Sequence, residues 1–131
     1  MALEVHVVTP EREVWSGEAT MVIARGVEGE VGILAGHAPL LIRLAIGPLR
    51  IQDGGEEVFS VVDGGFLHVT SAEGGATRVD VLATSASLAS EIDVERERRR
   101  VAELEARTVD KDDLGAQTEL AKALARVNLR G

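Results

Sequence analysis

The sequence predicts a mainly β fold, an antiparallel sandwich or flattened barrel, followed by an antiparallel hairpin of two α-helices. Up to about Ser90, short runs with period-two or β-branched patterns alternate with glycine turns; beyond it glycine almost vanishes and helix-forming residues dominate. Charge changes at the same place, from twelve acidic and five basic side chains in residues 1–90 to ten and nine in residues 91–131. We therefore divide the chain into a β unit, residues 1–88, and a helical unit, residues 89–131.

Eight runs in the first unit are predicted strands, because each is short, apolar or alternating, and bounded by turn residues. In chain order they are LEVHVVT (3–9), TMVIAR (20–25), VGIL (31–34), LLIRLAI (40–46), PLRIQ (48–52), EVFSVV (57–62), GFLHVT (65–70) and TRVDVLAT (77–84). Three acidic-Gly-Gly triplets, at residues 53–55, 63–65 and 73–75, are predicted turns, since tight hairpins need the positive φ that glycine adopts cheaply.

The second unit predicts two helices joined by a short polar turn. Ser90 to Asp93, SEID, is typical of a capping box and predicts a first helix from Glu91 to Arg107. A second helix is predicted over residues 113–129, capped by Asp110 or Asp112. The first helix has few apolar residues, so we expect the hairpin either to rest on the sandwich as a solvated element or to dock weakly enough to leave it.

Composition and motifs argue against catalysis. A net charge of -8 disfavours nucleic acid as a partner, and the absence of cysteine removes disulfides and thiolate metal sites. The first ninety residues contain no lysine and hence no Walker loop, and no G-x-S-x-G motif occurs. His6, His37 and His68 lack metal-binding spacing, so no metal site, no cofactor and no catalytic residue is predicted.

Several blocks together carry a family resemblance. EGEVGILAGHAPLL at residues 28–41, GPLRI at 47–51, VDGGFLHV at 62–69 and VDVLATSASLASEID at 79–93 follow VVTPEREVWSGEA at 7–19. In order and spacing these blocks resemble the epsilon subunit of F-type ATP synthase over essentially the whole chain. The resemblance implies a β-sandwich of about ten strands with a C-terminal helical hairpin, and a non-catalytic rotor subunit.

The same resemblance implies partners and a location. The sandwich would bind the gamma subunit and rest on the polar loops of the membrane c-ring, on the cytoplasmic side of a bacterial cell membrane. The hairpin would fold onto the sandwich or extend toward the alpha and beta subunits, where it would restrain ATP hydrolysis. The turn that meets gamma and the c-ring would comprise Glu28, Glu30, Gly36, His37, Ala38, Pro39 and Leu40. Within it we expect Gly36 to permit a close backbone approach, and the two glutamates to face basic c-ring loops.

The helical unit raises two further hypotheses. Some members of the family bind ATP at a motif that Ile92–Arg96 matches, which makes Asp93, Arg96, Arg100 and Arg126 candidate nucleotide ligands. Glu97 stands where the motif has alanine, and its charge would repel phosphate, so we expect weak ATP binding or none. The alternative is that Asp93 caps the helix and Arg96 is a surface residue.

Arg98, Arg99 and Arg100 form a cationic cluster that would attract acidic surfaces and so regulate the hairpin. Two other functions stay open at this point. One is a free-standing nucleotide-sensing module on the same fold, and the other is a small metal-dependent β-barrel enzyme that uses the histidines.

Overall fold

The computed structural model describes residues 2–71, 73–107 and 114–128, and within them eight strands precede two helices. The strands are β1 (Leu3–Val8), β2 (Glu13–Ala19), β3 (Met21–Gly26), β4 (Gly29–Leu34), β5 (Leu40–Asp53), β6 (Glu56–Ser71), β7 (Thr77–Ala83) and β8 (Ala86–Leu88). The helices are α1 (Val94–Arg107) and α2 (Leu114–Val127). The predicted fold class is confirmed, with eight strands in place of about ten.

All eight strands belong to one hydrogen-bonded sheet in the order β2-β1-β7-β6-β5-β3-β4, with β8 paired to β6. The β1–β7 pair is parallel and every other pair is antiparallel. The two long strands connect the layers, because β6 pairs with β7 through residues 65–71 whereas β5 pairs with β3 mainly through residues 49–52. The sheet thereby folds over itself into a sandwich.

The core lies between the two layers. Alternate residues of β1 and β7, such as Val5 and Val79, are fully buried, as the period-two pattern requires. They belong to one apolar cluster with Val22, Ile33 and Ile51 from β3, β4 and β5. Because these strands belong to opposite halves of the folded sheet, the shared cluster fixes the two halves face to face.

The three acidic-Gly-Gly triplets take different structures, and the third, Glu73–Gly75, is a 3₁₀ turn between β6 and β7. Gly54 and Gly55 form the two-residue loop between β5 and β6 with φ of 57° and 99°, as predicted. The turn predicted at residues 63–65 is wrong, because β6 runs straight through it. Gly64 and Gly65 have φ of 96° and 122°, and β6 changes neighbour there from β8 to β7. Four predicted strands merge into β5 and β6, whereas β2 and β8 were not among the eight predicted runs, so eight strands are observed.

The first helix begins later than the sequence predicted. α1 starts at Val94, and its cap is Asp93, whose Oδ1 accepts the backbone N–H of Arg96 at 3.1 Å. Ser90 lies in a 3₁₀ turn at Ala89–Glu91, so the capping box predicted at Ser90 is wrong. The alternative role for Asp93, as a helix cap, is confirmed. The predicted caps of the second helix, Asp110 and Asp112, lie outside the described residues.

The helical hairpin has a small apolar cluster of its own and lies against the sandwich. Leu104 of α1 is buried with Ala116 and Ala123 of α2, and this cluster is separate from the sandwich core. α2 packs against β5 and β6. Among the described residues, no helix is both long and apolar enough to cross a membrane.

Candidate functional site

One end of the sandwich is built by the β3–β4 hairpin and the start of β5. Val27 and Glu28 form a two-residue loop between Gly26 and Gly29, and the N–H of Val27 donates to the carbonyl oxygen of Arg43 at 3.0 Å. Glu28 and Val27 are exposed at its tip. A groove of about 440 Å³ lies between this loop and the first residues of β5.

The predicted docking turn, residues 36–40, follows the end of β4 and leads into β5. Gly36 has φ of 85°, and its N–H donates to the hydroxyl oxygen of Thr77 at 2.7 Å, which ties the turn to β7. Within this chain no close backbone approach occurs at Gly36, because a Cβ placed there would have no described atom within 4 Å. The fold of the chain itself requires glycine here for the positive φ. Ala38 and Pro39 are exposed, and Leu40 packs against the core.

His37 makes local contacts. Its backbone N–H donates to the carbonyl oxygen of Leu34 at 3.1 Å, and its ring Nδ1 lies 2.7 Å from the carbonyl oxygen of Ala38. Because a carbonyl oxygen can only accept, Nδ1 carries the proton in this contact. Across residues 2–71, 73–107 and 114–128, no group of three His, Cys, Asp or Glu side chains could hold a metal ion.

The charge at this end is mixed. Arg25 lies opposite Glu30 in the β3–β4 register, and Arg43 lines the groove together with Glu28 and Glu30. The sequence prediction named the glutamates and missed both arginines. The hairpin pairing could have placed Arg25, since a two-residue loop after Gly26 sets Arg25 and Glu30 opposite each other, whereas Arg43 lies on β5.

The outer face of the sandwich carries exposed apolar side chains that the sequence prediction also missed. Phe66 is 47% exposed, Leu82 is 51% exposed and Leu41 is 63% exposed. Phe66 of β6 lies opposite Leu82 of β7, and a groove of about 470 Å³ runs past them to Val8 and Pro10. We call Val8, Leu41, Phe66 and Leu82 the apolar face. An exposed patch of this kind marks a surface for a protein partner.

The four candidate nucleotide ligands make separate contacts in this structure. Asp93 caps α1 and Arg96 is exposed, as the alternative interpretation held. Arg100 bonds Glu119 of α2 through its Nη2 at 3.0 Å. Arg126 lies between two carboxylates, with Nη2 3.0 Å from Asp63 Oδ2 and Nη1 3.6 Å from Glu97 Oε2.

The cationic cluster is paired mainly within the hairpin. Arg98 bonds Glu95 at 2.7 Å, one turn earlier in α1, and Arg100 reaches across to Glu119, while Arg99 is exposed. The hydrogen bond from Arg100 holds the pKa of the Glu119 carboxyl below its usual value. Among the described ion pairs of the two helices, the one that reaches the sandwich is Arg126 with Asp63.

The sandwich sequence matches a described family. Residues 2–89 match the model of the "ATP synthase, Delta/Epsilon chain, beta-sandwich domain". The ATP synthase epsilon chain of Thermobifida fusca is 44% identical over 127 residues, which cover 95% of this chain and 90% of that one. The epsilon chain of Dehalococcoides mccartyi (strain CBDB1) is 43% identical over 131 residues, covering 98% and 90% of the two chains.

Two solved structures have a similar fold. A chain of the Euglena gracilis mitochondrial ATP synthase superposes with a TM-score of 0.78 and 26% identity, covering 97% of this chain and 79% of that one. A chain of the Tetrahymena thermophila mitochondrial ATP synthase, from its central stalk and c-ring, gives a TM-score of 0.52 at 18% identity, covering 98% and 93%. The second match shows likeness of fold alone.

Proposed function

The chain belongs to the epsilon-chain family of ATP synthases, and from that premise we propose that it is a central-stalk subunit that couples gamma to the c-ring. The coupling serves proton-driven ATP synthesis, and the helical hairpin restrains ATP hydrolysis. The observation that carries the proposal is the relation to a named epsilon chain along 95% of the sequence. The epsilon chain is a non-catalytic subunit, and its role is mechanical.

We assign the gamma subunit to the apolar face. Phe66 and Leu82 lie side by side on β6 and β7, and Leu41 lies on the neighbouring strand β5. Exposed side chains of this size on a strand face gain free energy when a partner removes them from water, at roughly 25 cal/mol per Å². A rotor that transmits torque needs such a firmly held contact.

We assign the c-ring to two turns, residues 27–30 and 36–40. Both carry exposed side chains, and both are held to a strand, one by the N–H of Val27 on the carbonyl oxygen of Arg43 and the other by the N–H of Gly36 on the hydroxyl oxygen of Thr77. The glutamates Glu28 and Glu30 are suited to basic loops, and Arg25 and Arg43 beside them are suited to acidic groups. Because both signs of charge are present, the contact would depend on how the individual charges of the two surfaces are aligned, not on a general attraction between opposite net charges.

The remaining parts of the proposal concern nucleotide and location. We propose that ATP binds the hairpin weakly, because Arg126 is already engaged by Asp63 and Glu97. The chain would lie on the cytoplasmic side of a bacterial cell membrane and be held there through the complex. In the extended state its helices would contact the alpha and beta subunits.

Co-expression with gamma tests the assignment of the apolar face. Full-length chain carrying a tag should recover gamma in a stable one-to-one complex, whereas Phe66→Glu and Leu82→Glu should each weaken recovery at least tenfold. Leu114→Glu is the matched control, because Leu114 is 71% exposed and belongs to α2, not to the strands of the apolar face. Full recovery by both face variants would contradict the assignment. No recovery by the unsubstituted chain would favour a free-standing module instead.

A further inference from the structure

Asp63 is an acidic residue in a buried position at the junction of sandwich and hairpin. Its side chain is 3% exposed, and it lies on β6 where that strand changes neighbours. Its backbone N–H donates to the carbonyl oxygen of Ser85 at 2.9 Å, and its Oδ2 accepts the hydroxyl of Ser85 and Nη2 of Arg126. A carboxylate this deeply buried is costly without such partners.

Arg126 joins three elements at this point. It projects from α2 and contacts Asp63 of β6 and Glu97 of α1, and the side chains of Arg126 and Glu97 are 19% and 15% exposed. Two carboxylates therefore compete for one guanidinium. Oδ1 of Asp63 and Oε2 of Glu97 are buried without a hydrogen-bond partner, so neither carboxylate is fully satisfied.

Besides the packing of α2 against β5 and β6, charged contacts bear on how the helices are held. The apolar cluster of the hairpin is separate from the sandwich core, and the ion pairs of Arg98 and Arg100 stay within the hairpin. Arg12 bonds Glu91, but Glu91 precedes α1 and holds the connecting segment. The Asp63–Arg126 contact is therefore a charged link between the sandwich and the helices themselves.

We propose that Asp63 and Arg126 form a latch that holds the hairpin on the sandwich, and that Glu97 is the partner that receives Arg126 on release. When the hairpin separates from the sandwich, Arg126 and Glu97 remain paired, because both residues belong to the hairpin. Asp63 stays behind with Ser85 and becomes accessible to water. Each half keeps a partner in the open state, so the opening cost is small enough for a reversible switch.

The latch makes an unusual prediction for Glu97. Replacing Asp63 or Arg126 removes the attraction that exists in the docked state, so either change favours release. Replacing Glu97 removes the partner that Arg126 takes along and also removes a negative charge beside Asp63, so this change favours docking. The effect on ATP hydrolysis rests on the proposed function, whereas the latch itself is measured on the isolated full-length chain.

The experiment uses two fluorescent labels. The chain has no cysteine, so Glu56→Cys on β6 and Ala121→Cys on α2, both exposed, give one unique labelled pair. Energy transfer during a urea titration gives the ratio of released to docked hairpin, extrapolated to zero urea. The single tryptophan, Trp15, reports separately whether the sandwich has unfolded.

Asp63→Asn and Arg126→Gln should each raise the released-to-docked ratio about tenfold, equivalent to about 1.4 kcal/mol. In the double variant the released-to-docked ratio should be only slightly higher than in either single variant, because both substitutions remove the same contact. Glu97→Gln should lower the ratio. Arg100→Gln is the matched control, since it breaks an exposed pair inside the hairpin and should leave the ratio unchanged.

Three results would overturn the latch. They are an unchanged ratio in Arg126→Gln, an effect of Arg100→Gln as large as that of Arg126→Gln, and a rise in the ratio with Glu97→Gln. If Asp63→Asn unfolds the sandwich, Arg126→Gln still decides, because Arg126 lies outside the sandwich. A hairpin that is released by these changes without any change in ATP hydrolysis would confirm the latch and contradict the proposed braking role.

Discussion

Arg12 and Glu91 form an ion pair of 2.8 Å that joins the loop between β1 and β2 to the 3₁₀ turn before α1. The N–H of Leu88 donates to the same carboxylate oxygen at 2.9 Å. The hydrogen bond from Arg12, followed by that from Leu88, lowers the pKa of Glu91 below its usual value. This pair fixes the segment that connects sandwich and hairpin.

The first prediction concerns the titration of that carboxylate. In the folded protein the pKa of Glu91 is lowered, so its stabilising contribution is present above the unfolded-state pKa and disappears as pH falls through the folded-state pKa. Arg12→Gln should raise the pKa of Glu91 toward its ordinary value, as followed by carbon-13 NMR of the carboxyl groups. Glu119, whose pKa is lowered by Arg100, is the internal control and should not move. An unaltered Glu91 titration in Arg12→Gln would show that the ion pair does not form in solution.

The second prediction concerns Gly36. Gly36→Ala should destabilise the sandwich by about 1–2 kcal/mol, because an alanine must adopt the left-handed conformation that Gly36 holds at φ of 85°. Space is not the cause, since a Cβ would contact nothing there. Urea unfolding measured by the fluorescence of Trp15 gives the free energy.

Gly32→Ala is the matched control for Gly36→Ala. Gly32 has no positive φ, and its added Cβ would meet the flexible end of Met21 at 3.0 Å, so we expect a smaller loss. Equal losses in the two variants would mean that backbone conformation is not what selects glycine at position 36.

The third prediction concerns nucleotide. ATP should bind the full-length chain at millimolar concentration or not at all in calorimetry, because Arg126 is shared between two carboxylates. Glu97→Ala should strengthen binding about tenfold, equivalent to about 1.4 kcal/mol. Glu95→Ala is the control, since Glu95 is exposed and pairs with Arg98. Tight binding by the unsubstituted chain would show that the arginines are free for phosphate.

The fourth prediction concerns the division of the chain. Residues 1–88 should fold alone and bind gamma, because the sandwich core is an apolar cluster to which neither helix contributes. Circular dichroism should show a β spectrum with a cooperative thermal transition, and a tagged fragment should recover gamma. A disordered fragment would mean that the two units fold together.

Local sequence signals predicted much of the fold. Alternating residues such as Val5 and Val79 marked strands correctly, since burial on one face of a strand imposes a period of two. Local signals were insufficient where a distant neighbour decides the structure. Residues 53–55 and 63–65 have the same acidic-Gly-Gly pattern, yet the first is a loop and the second lies inside β6 beside β7 and β8.

The candidate sites also differ in whether local sequence or a distant neighbour determines them. The docking turn at Gly36 was predicted as a turn from its own residues and from the family resemblance. Asp63 and Arg126 are 63 positions apart in the sequence, and no local sequence pattern around either residue predicts their contact. The apolar face was hidden for a related reason, because Phe66 and Leu82 become neighbours only when β6 pairs with β7.

The central claim is that the chain couples the rotor and brakes hydrolysis through its hairpin, and membranes depleted of their epsilon chain test it most directly. ATP hydrolysis and proton-driven ATP synthesis are measured after adding back the full-length chain, a chain lacking residues 90–131, or the Arg98→Ala, Arg99→Ala and Arg100→Ala triple variant. The account predicts that the full-length chain and the chain lacking residues 90–131 both restore ATP synthesis. ATP hydrolysis should be faster with the chain lacking residues 90–131 than with the full-length chain. The triple variant should release part of that hydrolysis, more visibly at low salt, where charge attraction reaches farther. Equal hydrolysis with the full-length and deleted chains would contradict the braking role, and failure of the full-length chain to restore synthesis would contradict the coupling role.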